Sequence, residues 1–195
     1  VNHQAESTYI PYGAHIFNTP NPDILKDYNI TERKYSLLIA RMEPENNVET
    51  ILDGFDKSDS KQPFLVIGKT DNKFGTYLKS KFKHNNYIQF LGGIYDIEVL
   101  NNLRNYANLY FHGHSVGGTN PSLLEAMSSN ALIAAHDNIF NKSILTEDAI
   151  YFKNEKEVKA LFSIDNENFR HKFVSNNITK IKTLYSWGKI NDDYE

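Results

Sequence analysis

The chain has 195 residues, with 21 Lys and Arg against 24 Asp and Glu, which gives a formal net charge of -3 at pH 7. This length suffices for one sizeable α/β domain with extensions, and the acidic balance provides no general basic field for nucleic acid. The chain has no cysteine, which excludes disulfide scaffolds, thiolate metal sites and cysteine nucleophiles. No apolar run reaches the roughly 18 residues that a membrane-spanning helix needs.

The N-terminal segment is polar and begins with Val1 rather than Met. We interpret residues 1–34 as a linker or entry segment that follows a missing N-terminal domain. The sequence is therefore expected to be part of a longer protein.

Five short apolar runs along the middle of the chain predict buried strands. The runs are continuous rather than alternating, as in a parallel sheet that is covered on both faces. They are YSLLIA (35–40), PFLVIG (63–68), YIQFLG (87–92), NLYFHG (108–113) and ALIAAH (131–136).

Helical patterns lie between these strands. One begins at Val48, one follows a predicted Asp96 cap, and one follows a predicted Asn120 cap with Pro121 at the first helical position. Strand and helix alternate, which predicts an α/β fold with a Rossmann-like, doubly wound parallel sheet over residues 35–165. Residues 155–187 carry two further helical patterns, and we expect 166–195 to form the closing C-terminal helix.

The loop HGHSVGGTN (112–120) is the strongest candidate for a binding site, because open α/β sheets bind ligands beyond the carboxyl ends of their strands. Gly117 and Gly118 allow a ligand to approach the backbone, and the helix that begins near Pro121 presents unpaired N–H groups. These features favour a phosphate. The alternative is a tight turn that needs its glycines for geometry alone.

Two charged residues lie next to apolar segments. Glu125 is one turn inside the helix and needs a partner there; it can accept hydrogen bonds from ribose or sugar hydroxyls, or it can simply favour the helix dipole. Arg41 directly follows a buried strand, where a bidentate phosphate contact would suit it. The alternative for Arg41 is an ion pair with a neighbouring glutamate such as Glu43, and Lys69 is interpreted as a solvated loop charge.

Other motifs for chemistry are weak or missing. His112 and His114 form an H-x-H at a strand end, but no cluster of acids completes a metal site, so we interpret His114 as a hydrogen-bonding loop residue. The sequence has no D-x-D, no G-x-S-x-G elbow, no Walker A motif and no G-x-G-x-x-G fingerprint.

Four blocks in this order and spacing resemble the C-terminal, donor-binding domain of a glycosyltransferase family 4 enzyme of the GT-B fold. Their details look most like the bacterial rhamnosyltransferase-like branch, which is linked to surface polysaccharide assembly. The resemblance runs from YIPYGAHI (9–16) to YSWGKINDDYE (185–195). The blocks are YSLLIARMEPENNVETILDGF (35–55), FLVIG (64–68), YIQFLGGI (87–94) and GHSVGGTNPSLLEAMSSNALIAAHDN (113–138).

The resemblance implies roles for individual residues. Arg41 matches an arginine that contacts the donor pyrophosphate, and Glu125 matches the second signature glutamate, which binds the ribose; both are taken as catalytic. The family's usual lysine is Asn46 here, and its first signature glutamate is Gly117, so one phosphate contact and one sugar contact are changed.

The resemblance also assigns the rest of the donor site. Gly92, Gly93 and Ile94 match the place where the nucleobase rests. The positions matched to the donor phosphate and sugar are Asn46, His114, Ser115, Gly117, Gly118, Thr119 and Asn120.

The implied function is the retaining transfer of a sugar from a UDP-, GDP- or dTDP-sugar to a polysaccharide or lipid-linked acceptor. The resemblance implies no cofactor and no metal, because Arg41 and the helix terminus would stabilise the leaving pyrophosphate. A missing N-terminal domain would supply the acceptor contacts, so the fragment alone should bind nucleotide weakly and not turn over. The expected location is the cytoplasm, peripheral at the inner face of the cell membrane, where a glycan acceptor would be the partner; no nucleic acid is expected.

Two alternatives stay open. A sugar-nucleotide epimerase or phosphorylase has the same two-domain plan and is favoured slightly by Gly117, although the entry and closing segments favour the transferase. A non-catalytic nucleotide-binding module is favoured by the changes at Asn46 and Gly117.

Overall fold

The computed structural model describes residues 10–192, and its central feature is a six-stranded parallel sheet. The five predicted strands are confirmed to within two residues at each end, and a sixth was not predicted. The strands are β1 (Ser36–Ile39), β2 (Phe64–Ile67), β3 (Ile88–Gly92), β4 (Leu109–His112), β5 (Ile133–His136) and β6 (Ile150–Phe152).

The order of the strands in the sheet is β3-β2-β1-β4-β5-β6. The chain therefore moves outward from β1 to β3 and then returns to place β4 on the other side of β1. Ser36 at the start of β1 is in register with Phe64 on β2 and with Leu109 on β4. This reversal is the switch point of a doubly wound sheet, which confirms the predicted fold class.

Helices connect the strands. They are α1 (Val48–Asp56), α2 (Lys73–Lys81), α3 (Ile97–Tyr106), α4 (Pro121–Ser128), α5 (Ile139–Leu145), α6 (Glu155–Leu161), α7 (Glu167–Leu184) and α8 (Trp187–Asp192). Two 3-10 helices, Pro22–Tyr28 and Pro44–Asn46, complete the described elements.

The predicted helix caps are confirmed. The Asp96 carboxylate accepts hydrogen bonds from the backbone N–H groups of Glu98 and Val99 at the start of α3. The Asn120 side chain accepts from the Ser122 N–H at 2.9 Å, and Pro121 occupies the first turn of α4. The start of α4 is therefore fixed by local chemistry.

Apolar side chains cover both faces of the sheet, as the continuous apolar strands predict. Leu37 and Leu38 are neighbours on β1 and belong to clusters on opposite faces. On the face that holds Leu38, the Phe64 ring lies 5.0 Å from the Phe55 ring and 5.3 Å from the Phe111 ring, measured between centroids. This aromatic contact joins the centre of the sheet to α1.

The described part of the N-terminal segment packs against the domain. Leu25 and Ile30 are buried in the core, and the Asn21 N–H donates to the Asn102 side chain on α3 at 2.7 Å. The interpretation of 1–34 as a linker stays a prediction, and its residues 1–9 lie outside the described part.

The C-terminal segment forms two helices, α7 and α8, in place of the single closing helix predicted over 166–195. Tyr185 leaves the helical conformation, with φ −126° and ψ 18°, and its carbonyl accepts a hydrogen bond from the Ala14 N–H at 2.8 Å. Contact with a segment distant in the sequence thus ends α7. Residues 193–195 lie outside the described part, and across 10–192 no helix has both the length and the apolar character that crossing a bilayer requires.

Phe64 provides a test of the core. Its side chain is 0% exposed, so we expect Phe64→Ala to lower the free energy of unfolding by about 3–5 kcal/mol through lost burial and a cavity. Phe169→Ala is the matched control, because Phe169 is 37% exposed. Urea unfolding measures both, and equal losses in the two variants would contradict this packing.

Candidate functional site

A cavity of about 570 Å³ lies where the strand order reverses. The loops after β1, β2 and β4, the loop before α3 and the start of α4 form its wall. Among the lining residues are Arg41, Met42, Glu43, Asn46, Gly68, Lys69, Asp71, Asn72, Gly93, Ile94, Tyr95, His112, Gly113, His114, Asn120 and Ser122. Its position agrees with the general rule for ligand binding in open α/β sheets.

The structure brings about half of the predicted site residues into this wall. The predicted residues that line the cavity are Arg41, Asn46, Gly93, Ile94, His114 and Asn120. The predicted residues outside its lining are Gly92, Ser115, Gly117, Gly118, Thr119 and Glu125. The roles of both groups in binding stay predictions.

Arg41 has an exposed side chain at the cavity. Among residues 10–192 its guanidinium forms no ion pair, so the alternative of a salt bridge to a neighbouring glutamate is not observed. The Glu43 carboxylate accepts from the Asn72 side chain at 3.3 Å, and Glu49 pairs with Lys81 at 2.7 Å. Arg41 is thus a cation that a ligand in this cavity can reach.

Asn46 connects the loop after β1 to the loop after β4. It is 6% exposed, and its Nδ2 donates to the Arg41 carbonyl at 2.8 Å. Its Oδ1 lies 2.9 Å from His114 Nδ1. The side chain at the position where the resemblance predicts a lysine is therefore hydrogen-bonded within the protein.

Gly113 allows these two loops to meet. A Cβ at this position would lie 2.0 Å from the backbone oxygen of Asn46, so any other residue would push the loops apart. The Gly113 carbonyl also accepts from the Asn47 side chain at 2.8 Å. The close approach of the two backbones explains why residue 113 is a glycine.

The loop after β4 is held on both sides. The Ser115 N–H and hydroxyl both donate to the Glu45 carbonyl, at 3.0 and 2.8 Å. The His114 carbonyl accepts from the side chains of Asn138 and Asn141, each at 3.0 Å. Sequence reasoning missed all three partners, because they come from segments distant in the sequence: Glu45 from the 3-10 helix Pro44–Asn46, and Asn138 and Asn141 from the start of α5.

Gly117 has a φ of +89°, in the left-handed region that favours glycine. This observation supports the geometric explanation of the glycine at this position. Gly118, by contrast, is not among the glycines with positive φ.

Glu125 has a protein partner that the sequence analysis missed. The buried Arg104 of α3, 1% exposed, donates from Nη2 to Glu125 Oε2 at 2.6 Å and to the Ser122 hydroxyl at 3.2 Å. Arg104 Nη1 donates to the Asn101 side chain at 3.0 Å. One signal was available, since Arg104 falls four residues after Leu100, on the apolar stripe of α3.

Lys69 and Tyr95 also line the cavity. The Lys69 ammonium lies 5.9 Å from the centroid of the Tyr95 ring, close enough for a cation–π attraction. The exposed side chain of Lys69 agrees with its interpretation as a solvated loop charge, and it is a second cation at the cavity.

Two histidines in the wall are neutral at pH 7. Burial lowers the pKa of His112 to about 3, and nearby His114 and Arg104 act in the same direction. Burial also lowers the pKa of His114. Within residues 10–192, no three His, Asp or Glu side chains come together as a metal site would require.

The buried His112 predicts a dependence of stability on pH. The folded state keeps the ring neutral, while an unfolded ring takes up a proton below its ordinary pKa of 6.5; stability should therefore fall as the pH drops from 6.5 toward 3. From pH 7 to pH 5 this one group should cost about 2 kcal/mol.

His112→Leu should remove that part of the loss, because Nε2 of His112 has no hydrogen-bond partner in the described residues and an apolar side chain can replace it. Urea unfolding at pH 7 and pH 5 measures the difference. An identical pH dependence in the two proteins would contradict the assignment.

Solved structures share this fold. HepE of Anabaena, crystallised with UDP and glucose, has a TM-score of 0.77 at 13% identity, with 89% of this chain and 50% of HepE covered. Sucrose-phosphate synthase from Thermosynechococcus elongatus has a TM-score of 0.76 at 16% identity, with 95% and 50% covered. The chain thus spans about half the length of these two structures.

A third structure corresponds to the chain over nearly its whole length. It is the C-terminal domain of the glycosyl transferase group 1 family protein LpcC from Francisella tularensis, with a TM-score of 0.69, 19% identity, and 91% of this chain and 97% of that domain covered. At these identities the likeness shows the fold, which is that of a GT-B C-terminal domain. No curated protein sequence matches the chain.

The family comparison rests on sequence. The model for glycosyl transferases group 1 matches residues 21–178, which include every strand of the sheet and both loops that meet at Gly113. The chain therefore belongs to the glycosyl transferases group 1 family.

Proposed function

We propose that this chain is the donor-binding domain of a retaining glycosyltransferase of family 4, in its rhamnosyltransferase-like branch. The observation that carries the proposal is the cavity at the switch point, which is lined by the unpaired Arg41 and by the first residues of α4. Its volume of about 570 Å³ suits a nucleotide-sugar. HepE, which has the same fold, was solved with UDP-glucose, and this supports the class of ligand.

The phosphate end of the donor would lie between Arg41 and the start of α4. Negative charge grows on the leaving pyrophosphate as the bond to the sugar breaks, so groups placed there stabilise the transition state more than the ground state. Arg41 can donate two parallel hydrogen bonds to phosphate oxygens. The dipole of α4 would add to this effect. The first N–H groups of the helix are themselves bonded within the protein, Ser122 to the Asn120 side chain and Leu123 and Leu124 to the Asn120 carbonyl.

The nucleoside end would extend toward Glu125 and the loop before α3. The side chain of Glu125 is 37% exposed and bonds Arg104 through Oε2, which leaves Oε1 for a ribose hydroxyl. The pair with Arg104 would fix the direction of the carboxylate. Gly92, Gly93 and Ile94 would hold the nucleobase, with the exposed ring of Tyr95 next to them.

The proposal includes parts of the enzyme beyond this chain. An N-terminal domain would bind a polysaccharide or lipid-linked acceptor and complete the active site, so the 195-residue chain alone would bind nucleotide weakly and transfer no sugar. The place of action would be the cytoplasm, at the inner face of the cell membrane. The donor nucleotide-sugar would be the substrate, with no further cofactor.

Arg41 provides the first test. We expect at least one of UDP, GDP and dTDP to bind the chain in calorimetric titration, and Arg41→Ala to weaken that binding about 10- to 100-fold, because a charge-assisted bidentate contact is lost. Lys83→Ala, which removes an exposed cation beyond α2, is the control. If no nucleotide binds, or if both variants bind like the wild type, the donor-site proposal fails.

Glu125 provides the second test, by comparison of two ligands. For the nucleotide that binds, Glu125→Gln should reduce affinity about 10-fold, because a hydrogen bond to a charged acceptor becomes weaker. The 2′,3′-dideoxy form of the same nucleotide has no ribose hydroxyls and should bind the variant and the wild type equally. A loss of equal size for both ligands would show that Glu125 acts on structure rather than on ribose.

A further inference from the structure

The His114 ring is held in a fixed position at the cavity wall. Its Nδ1 lies 2.9 Å from Asn46 Oδ1, and its carbonyl accepts from Asn138 and Asn141. Asn46 thus holds the ring through Nδ1, while Asn138 and Asn141 at the start of α5 hold the backbone of the same residue. Rings prepared in this way before a ligand arrives are typical of binding sites.

The hydrogen bonds of Asn46 determine which nitrogen of His114 carries the proton. Asn46 Nδ2 points to the Arg41 carbonyl, a pure acceptor, so the other end of the amide is the oxygen. That oxygen accepts, and His114 Nδ1 is therefore the donor. In the neutral ring Nε2 then has a lone pair and acts as an acceptor.

An acceptor at this position selects the kind of ligand group that it can contact. The ionised oxygens of a diphosphate have no protons to donate, whereas sugar hydroxyls do. His114 Nε2 is accordingly suited to a hydroxyl group and unsuited to the phosphates.

Gly117 lies near the Nε2 side of the His114 ring. A Cβ built on Gly117 would lie 3.9 Å from His114 Nε2, so a side chain at 117 would begin close to this nitrogen. The φ of +89° disfavours any side chain there, and residues 113–120 include no acid.

We propose that His114 Nε2 accepts a hydrogen bond from a hydroxyl group of the donor sugar and that Asn46 positions the ring for this contact. The pair would take the place of the glutamate that the family resemblance predicts at Gly117. The inference rests on the proposed function and specifies the sugar end of the same site.

Several groups around the ring influence its charge. Burial is the main cause that lowers the pKa of His114, and the positive charge of Arg41 acts in the same direction. A hydrogen bond with the Val116 backbone and the negative charge of Glu45 raise this pKa. His112 is neutral at pH 7. As the pH falls through the lowered pKa of His114, Nε2 becomes a donor, and the contact with the sugar hydroxyl should be lost.

The first experiment measures how much the sugar adds to affinity. Nucleoside diphosphates are compared with their sugar forms, as UDP with UDP-glucose, GDP with GDP-mannose and dTDP with dTDP-glucose, by calorimetry at pH 7.5. We expect a gain of about 10-fold for at least one pair, from one net hydrogen bond. His114→Phe should abolish this gain, whereas the control His84→Phe, near the end of α2, should keep it.

Asn46→Leu should reduce the gain in part, because the ring stays in place but no group determines which of its nitrogens carries the proton.

The second experiment uses the wild-type chain alone and therefore does not depend on the folding of a variant. ¹⁵N NMR of the wild-type chain at pH 7.5 should show His114 protonated on Nδ1 and bare on Nε2. A proton on Nε2, directed at the Val116 backbone, would overturn the inference.

The outcomes separate this inference from the proposed function. If no nucleoside diphosphate binds, the proposed function is refuted, and the inference is refuted as well. If nucleotides bind but the sugar adds nothing in the wild type, or adds as much in His114→Phe, only the sugar contact is refuted. Loss of the gain in His114→Phe together with the Nδ1–H form supports the inference.

Discussion

The candidate site depends on one close contact between two backbones. At the switch point of the sheet, the loops after β1 and β4 leave adjacent strands at the same edge, and Gly113 comes so near the Asn46 carbonyl that a Cβ would lie 2.0 Å from it. This approach sets the distance between Arg41 on one loop and the start of α4 on the other. A larger residue at 113 would separate the two groups that we propose to hold the donor phosphates.

Side-chain amides maintain this geometry. Asn47 donates to the Gly113 carbonyl, and Asn138 and Asn141 donate to the His114 carbonyl. These carbonyls are satisfied by neutral amide donors rather than by lysine or arginine. Among residues 10–192, the two cations at the cavity, Arg41 and Lys69, form no ion pair. These asparagines thus have a structural role at this site.

The sequence allowed the local features to be predicted, and it left the long-range ones open. Continuous apolar runs and the caps at Asp96 and Asn120 act within a few residues, so the five strands and the start of α4 could be predicted. The pairing of Arg104 with Glu125 joins two helices across 21 residues of sequence, and no local pattern encodes it. β6 was not predicted because it has only three residues. The break between α7 and α8 was not predicted because it involves a hydrogen bond from Ala14, which is distant in the sequence.

Asn46 stands where the family resemblance predicts a lysine, and this difference has a chemical meaning beyond the loss of one cation. A lysine ammonium can only donate, so at the place of the Asn46 oxygen it would bond to a bare Nδ1 of His114 and direct the proton of the neutral ring to Nε2. The ring would then offer a donor to the cavity. The Asn46 oxygen does the opposite, since it accepts from Nδ1 and leaves a lone pair on Nε2. In a loop where the φ of Gly117 disfavours an acidic side chain, an amide at 46 therefore gives the histidine the acceptor character that a carboxylate would otherwise provide.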